Sequence, residues 1–259
     1  MIFSRIVYSA ILVGIATGLL LSCMQVFSLN PIIFAAETFE VEVPVAAEGA
    51  DQHSGHSHDH SAADGHHDAD EWAPADGFER TAYTFLANIL ASTGFAAVLL
   101  ALMSVFWLAR DRNISWTQGV MWGAAGYLAV FVAPAIGLPP EIPGEVAAPL
   151  EHRQLWWMLT AACVSTGLCI FAFAPVKVRA LGVLFLAIPY LVGAPHVHGP
   201  MFQHPDPSAI AALTDLHQKF VVVSGINSLV FWVLLGLACR LAFNRWFRNM
   251  PLSGDYAHA

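Results

Sequence analysis

Long uninterrupted apolar runs constrain this chain more than any other feature. A stretch such as Ile6 to Phe27 carries no charge. In water so much apolar surface would have nothing to pack against, and in a bilayer it matches a crossing of roughly 17 to 25 residues. Apolar residues make up 57% of the 259, against 12% charged, and no soluble domain needs apolar residues bundled in this way. Hydropathy places spans near Ile6 to Phe27, Thr81 to Ala109, Gly119 to Leu138, Leu155 to Ala174, Ala180 to Gly193 and Phe220 to Phe243. The fifth is the shortest of these. The expected fold is an all-α polytopic membrane protein with about six transmembrane helices, or five as the alternative.

Positive charge orients such a bundle, because Arg and Lys accumulate on the cytoplasmic side of short loops. Arg5, Arg110, Arg112, Lys177, Arg179, Arg240, Arg245 and Arg248 fall on one side of a six-span arrangement, and Arg80, Arg153 and Lys219 on the other. Both termini are then expected in the cytoplasm. The chain divides into a first transmembrane helix (1–36), an extracytoplasmic His/Asp-rich loop (37–80), a helical membrane bundle (81–243) and a cytoplasmic tail (244–259).

On that topology eleven of the twelve histidines face outward, and only His258 lies inside. Six sit in one tract, His53, His56, His58, His60, His66 and His67, interleaved with Asp, Ser and Gly. Such a composition cannot bury enough surface to offset the entropy of ordering, so the tract is expected to be disordered without metal. Imidazole among carboxylates suits zinc, copper, nickel or cobalt, and the tract does not select among them. Ligation requires a neutral ring, so binding should weaken below a pH of about 6.5. Twelve acidic residues lie between Glu37 and Glu79, and Glu141, Glu145, Glu151, Asp206 and Asp215 join them outside. That field attracts cations and repels polyanions, which argues against nucleic acid as a partner. The simpler alternative is that these acids only keep a loop solvated.

A second group follows the short fifth span. Pro195, Gly199, Pro200, Pro205 and Pro207 punctuate a segment holding His196, His198, His204 and Asp206, with Asp215 and His217 just beyond. Irregular backbone near membrane depth needs protein or water around it. His196 and His198 would share one side of an extended strand, and His204 or Asp206 would complete a nitrogen and oxygen site. The alternative is an interfacial turn whose histidines sit among headgroups. A third candidate is the turn rich in Pro139, Pro140 and Pro143, which would present Glu141 and Glu145 beside His152 and Arg153 at the mouth of the bundle. There the alternative is a structural pairing of Glu141 with Arg80 or Arg153.

Within the spans no Asp, Glu, Lys or Arg lies plainly at mid-membrane depth, so Gln25, Asn88 and Asn227 are the polar side chains most worth following. Gly14 with Gly18, and Gly119 with Gly123, have the small-residue spacing that lets helices approach closely. Cys23, Cys163, Cys169 and Cys239 all fall in spans without a Cys-x-x-Cys pair, so no disulfide framework is expected. Leu20 to Cys23 and Phe34 to Ala36 look like cleavage sites. The preceding apolar run exceeds the roughly 7 to 15 residues of a signal sequence, and an uncleaved first helix is expected.

The chain contains no Walker phosphate loop. A divalent cation moving inward gains about 4.6 kcal/mol per roughly 100 mV of potential, so uptake would not require nucleotide.

Several segments resemble the proposed cobalt transporter family CbtA: Arg5 to Tyr8, Asn30 to Ile33, Asp76 to Thr84, Ala133 to Gly144, Arg153 to Trp157 and Gly193 to His196. Gly-Leu-Pro-Pro-Glu-x-Pro-Gly from Gly137, followed by Arg-Gln-x-Trp-Trp from Arg153, is the most specific part. The resemblance implies a multi-pass protein of the bacterial inner membrane that imports cobalt for cobalamin synthesis. It also implies a partner, a small, single-span, histidine-bearing cobalt transporter subunit. It implies five spans where hydropathy reads six.

The functional expectation is one component of a divalent transition-metal importer, with cobalt as cargo, no tightly bound cofactor and no enzymatic activity. Capture would occur at the outer His and carboxylate surface. The rival reading is a non-conducting accessory protein that binds or buffers metal outside. A haem-handling protein lacks support, since neither Cys-x-x-Cys-His nor Trp-Gly-x-x-Trp occurs. A desaturase-type metalloenzyme would need His boxes on the cytoplasmic side.

Overall fold

The computed structural model describes residues 2–40, 74–75, 77–110 and 114–246. The His53 to His67 tract and the tail beyond Trp246 lie outside the described residues. The elements are α1 (Ile2–Ser28), α2 (Asn30–Glu37), α3 (Phe78–Arg110), α4 (Trp116–Tyr127), α5 (Ala133–Gly137), α6 (Leu150–Phe173), α7 (Arg179–Val192) and α8 (Pro207–Trp246). A π-helical turn, Leu128–Val132, joins α4 to α5 in one passage. Pro134 has no N–H to give to the fourth residue back, and the widened turn bonds Ala133 N–H to Leu128 O instead.

Five helical segments among the described residues are long and apolar enough to cross a membrane: Phe3–Ser28, Phe78–Leu108, Trp116–Gly137, Leu150–Phe173 and Pro207–Trp246. The protein is therefore a multi-pass membrane protein, and the fifth expected span is where hydropathy and structure part. Ala180 to Gly193 forms the 14-residue α7, about 21 Å long at 1.5 Å per residue and short of a hydrocarbon core of about 30 Å. It nevertheless runs antiparallel to α6. Gly167 faces Gly182 near one end, and near the other Trp156 Nε1 donates to Pro189 O at 3.2 Å. Tyr190 Oη donates to Ala133 O at 3.0 Å, tying α7 to α5. The α7 passage thus returns the chain to the end from which α6 set out, and α8 starts there.

Glycine sets the closest contacts. A Cβ at Gly18 would stand 2.6 Å from Ile89 Cα, and one at Gly14 would stand 2.5 Å from Thr93 Cα, so α1 and α3 touch backbone to backbone. Gly119 and Gly123 lie on Gly236 of α8, where an added Cβ would meet Gly123 N at 2.6 Å. Without a hydrophobic force between helices in lipid, such approach provides the dispersion contacts that hold them together. Around it packs a core of Leu99, Leu100, Met103, Phe231, Trp232, Leu235 and Phe243.

The charges sort to the two ends of the bundle. At one end Arg5 Nη1 donates to Trp246 O at 2.5 Å, Arg240 Nε donates to Ile114 O at 3.1 Å, and the Arg240 guanidinium lies 3.9 Å above the Trp116 ring. The beginning of α1 and the end of α8 therefore share one face. At the other end each of the three cations has a carboxylate partner: Arg80 with Glu37 at 2.6 Å, Arg153 with Glu141, and Lys219 with Asp215 at 2.5 Å.

Candidate functional site

The end with paired cations carries a cap built from three parts of the chain. Ala36 of α2, Ile142 of the Pro-rich turn, and Phe202 and Leu213 before and within α8 form a buried apolar cluster. Phe39, Leu216 and Phe220 pack against it. The Glu37–Arg80 pair, with Arg80 also lying 5.6 Å over the Phe34 ring, joins the two stems of the segment that holds the histidine tract.

Inside the cap Glu145 meets His217. Gly144, at φ +82°, reverses the Pro-rich turn, and Val146 N–H donates to Met201 O at 2.9 Å, so Glu145 is set opposite Phe202. Glu145 Oε2 lies 3.1 Å from His217 Nδ1 and 3.3 Å from Ile142 N. Only 9% of the Glu145 side chain and 11% of that of His217 is exposed, and the Phe202 ring stands edge-on to the imidazole at 6.4 Å. Burial pushes the Glu145 carboxyl above its ordinary range. His217 and the Ile142 N–H oppose that shift, while the charge of Glu141 adds to it.

An ionised carboxylate only accepts, so with Glu145 ionised the hydrogen of this contact is carried by His217 Nδ1. A histidine held in this way by a carboxylate is the usual arrangement behind a metal-ligating Nε2.

The remaining expected site residues are distributed as follows. Glu141 is engaged by Arg153 and Asp215 by Lys219. Asp206 accepts from Ser208 Oγ at 2.7 Å and from Ser208 N at 2.8 Å at the start of α8, and these bonds hold its carboxyl below the ordinary range. His204 Nδ1 accepts from Asp206 N–H at 3.0 Å. His152, His196 and His198 are exposed, the last two in irregular backbone after α7. Among the described residues no three His, Cys, Asp or Glu side chains gather as a metal site.

Below the cap the polar residues form a seam. On α8 His217, Ser224 and Asn227 are all buried and recur at intervals that keep them on one face. Asn227 Nδ2 donates to Ser28 Oγ of α1 at 2.7 Å. Asn88 Nδ2 of α3 donates to Gln25 Oε1 at 2.7 Å and to Ser22 Oγ at 3.0 Å. Ser224 Oγ is buried with no hydrogen-bond partner. Gln25, Asn88 and Asn227 stand out in the sequence, but their partners Ser22 and Ser28 do not. A signal for them is present, since Ser22, Gln25 and Ser28 recur every third residue on α1. The seam ends against Phe231, Trp232 and Leu235.

The model of the family described as "Probable cobalt transporter subunit (CbtA)" matches residues 3–244. No curated protein and no solved structure matches the chain significantly.

Proposed function

The chain belongs to the probable cobalt transporter subunit (CbtA) family, and on that premise we propose that it captures a divalent ion, cobalt in the first instance, outside the membrane and passes it inward. The observation that carries this reading is the buried Glu145–His217 pair at the head of the seam of Ser224, Asn227 and Ser28. The histidine tract, which lies in sequence between the two stems joined at the cap, would collect ions. His217 Nε2 would take the ion while Glu145 orients the ring and balances charge. Tract histidines or water would supply the other ligands. His196, His198, His204 and Asp206 border the cap and would serve as an outer collecting surface, as would His152.

The termini and the Arg-rich end would then lie in the cytoplasm, following the excess of Arg and Lys at that end, and the membrane would be the bacterial inner membrane. The family description names a subunit, and the small single-span partner would complete the assembly. The test is uptake of radioactive cobalt by cells lacking other cobalt importers, with this chain alone, with the small partner, and with His196→Ala/His198→Ala. Uptake that needs both proteins supports the proposal. If no combination gives uptake while the 37–80 loop still binds metal, the protein is an external metal buffer.

A further inference from the structure

At the opposite end of the bundle a cavity of about 440 Å³ opens between α1 and α8, lined by Arg5, Tyr8, Ser9, Leu12, Arg245 and Trp246. Its volume lies within the roughly 300 to 1,000 Å³ typical of small-molecule sites. Among the described residues no acidic side chain lines it, yet two guanidiniums do. Arg5 is tethered through Nη1 to Trp246 O, which leaves its remaining N–H groups as donors. Arg245 has no ion pair among the described residues, and the three cations at the far end of the bundle are all paired.

Two further observations point to a ligand. Ser9 is 0% exposed, and its Oγ lacks a hydrogen-bond partner, a state in which a buried hydroxyl is seldom left unless something accepts from it or donates to it. The wall of the cavity also continues as an apolar stripe. Tyr8, Leu12, Ile15 and Leu19, spaced four, three and four residues apart, are all exposed along one side of α1 running towards mid-membrane. A cationic head with a hydroxyl donor, above an open apolar stripe, has the chemistry of a site for an anionic amphiphile. A small inorganic anion would use the head and leave the stripe unused.

We propose that this cavity binds the phosphate of an anionic phospholipid, with Arg5 and Arg245 contacting the headgroup, Ser9 donating to it, and an acyl chain lying along Leu12, Ile15 and Leu19. Basic cavities between transmembrane helices at this level are suited to anionic headgroups. The site does not depend on the transport reading, since neither arginine touches the cap or the seam.

The full-length protein, delipidated in neutral detergent, would be examined by thermal unfolding with phosphatidylglycerol, with phosphatidylcholine and with inorganic phosphate, and by native mass spectrometry for retained lipid. The expected result is an upward Tm shift and a retained adduct with phosphatidylglycerol alone. Arg245→Gln leaves the Arg5 to Trp246 bond in place and should weaken the lipid about five-fold. Ser9→Ala should also weaken it, without lowering the Tm of the lipid-free protein. Equal shifts with phosphatidylcholine, a shift with inorganic phosphate alone, or undiminished lipid retention in Arg245→Gln would each overturn the proposal.

Discussion

Replacing Asn227 by Leu separates a packing role for the seam from a conducting one. The side chain is 6% exposed and makes one interhelical hydrogen bond, from Nδ2 to Ser28 Oγ at 2.7 Å. Interhelical hydrogen bonds in membranes contribute about 0.6 kcal/mol on average and at most about 1.7. Ser28 keeps its own bond to Met24 O at 2.6 Å, so the substitution orphans no donor on α1. Leucine shares the branching of asparagine but is bulkier, so the change in stability combines the lost bond, at most about 1.7 kcal/mol, with about 1 to 3 kcal/mol for the added bulk in a buried position. An ion leaving its hydration shell, by contrast, would lose its polar lining at this level. Uptake should fall at least ten-fold, equivalent to about 1.4 kcal/mol on the barrier. Ser28→Ala breaks the same hydrogen bond but leaves the amide of Asn227, and should reduce uptake far less. The assay is initial cobalt uptake per folded protein, with unfolding in detergent measured alongside. Unchanged uptake by folded Asn227→Leu would refute a conducting role for the seam.

Three further outcomes are expected. The orienting form of Glu145 is ionised, and burial raises its pKa from the ordinary value of 4.5, so cobalt uptake should begin to fall at a higher pH than an exposed carboxylate would dictate; Glu145→Gln should lower uptake and flatten that acid limb, and an unchanged pH profile would exclude Glu145 as its source. Because the folded pKa lies above the unfolded one, this group favours the native state at low pH and loses that contribution as pH rises through the folded value, so it is not a source of acid denaturation. Gly236→Val places a Cβ 2.6 Å from Gly123 N and must force α4 from α8, at a cost of about 1 to 3 kcal/mol, read as a lower Tm in detergent; an unchanged Tm would mean that the helices are not in backbone contact. Deleting residues 51–70 should raise the cobalt concentration for half-maximal uptake while preserving the maximal rate, whereas loss of the whole effect would favour the buffer.

The spans are legible because a bilayer leaves an apolar run few alternatives, and Gly14, Gly18, Gly119 and Gly123 announce close packing through spacing alone. The fifth expected span marks the limit of that reasoning. Ala180 to Gly193 is apolar enough to read as a crossing, but whether 14 residues suffice depends on what they pack against. The cap is less visible. Glu145 and His217 stand 72 positions apart, and adjacency in sequence points instead to His152 and Asp215 as their companions. Asn227 and Ser28 are 199 positions apart. Hydropathy reports which residues avoid water, and carries no information about which polar side chains on separate helices meet. The positive charges at the cap end, exceptions to the charge rule in sequence, are each paired with a carboxylate in the structure.

The claim that the ion passes through the cap at His217 is tested most directly in proteoliposomes containing this chain and the proposed small partner, by the initial rate of cobalt influx at limiting ion concentration. His217→Ala should reduce that rate at least ten- to a hundred-fold, about the effect of losing a ligand's orienting partner. Influx through folded His217→Ala at the unmodified rate would contradict it.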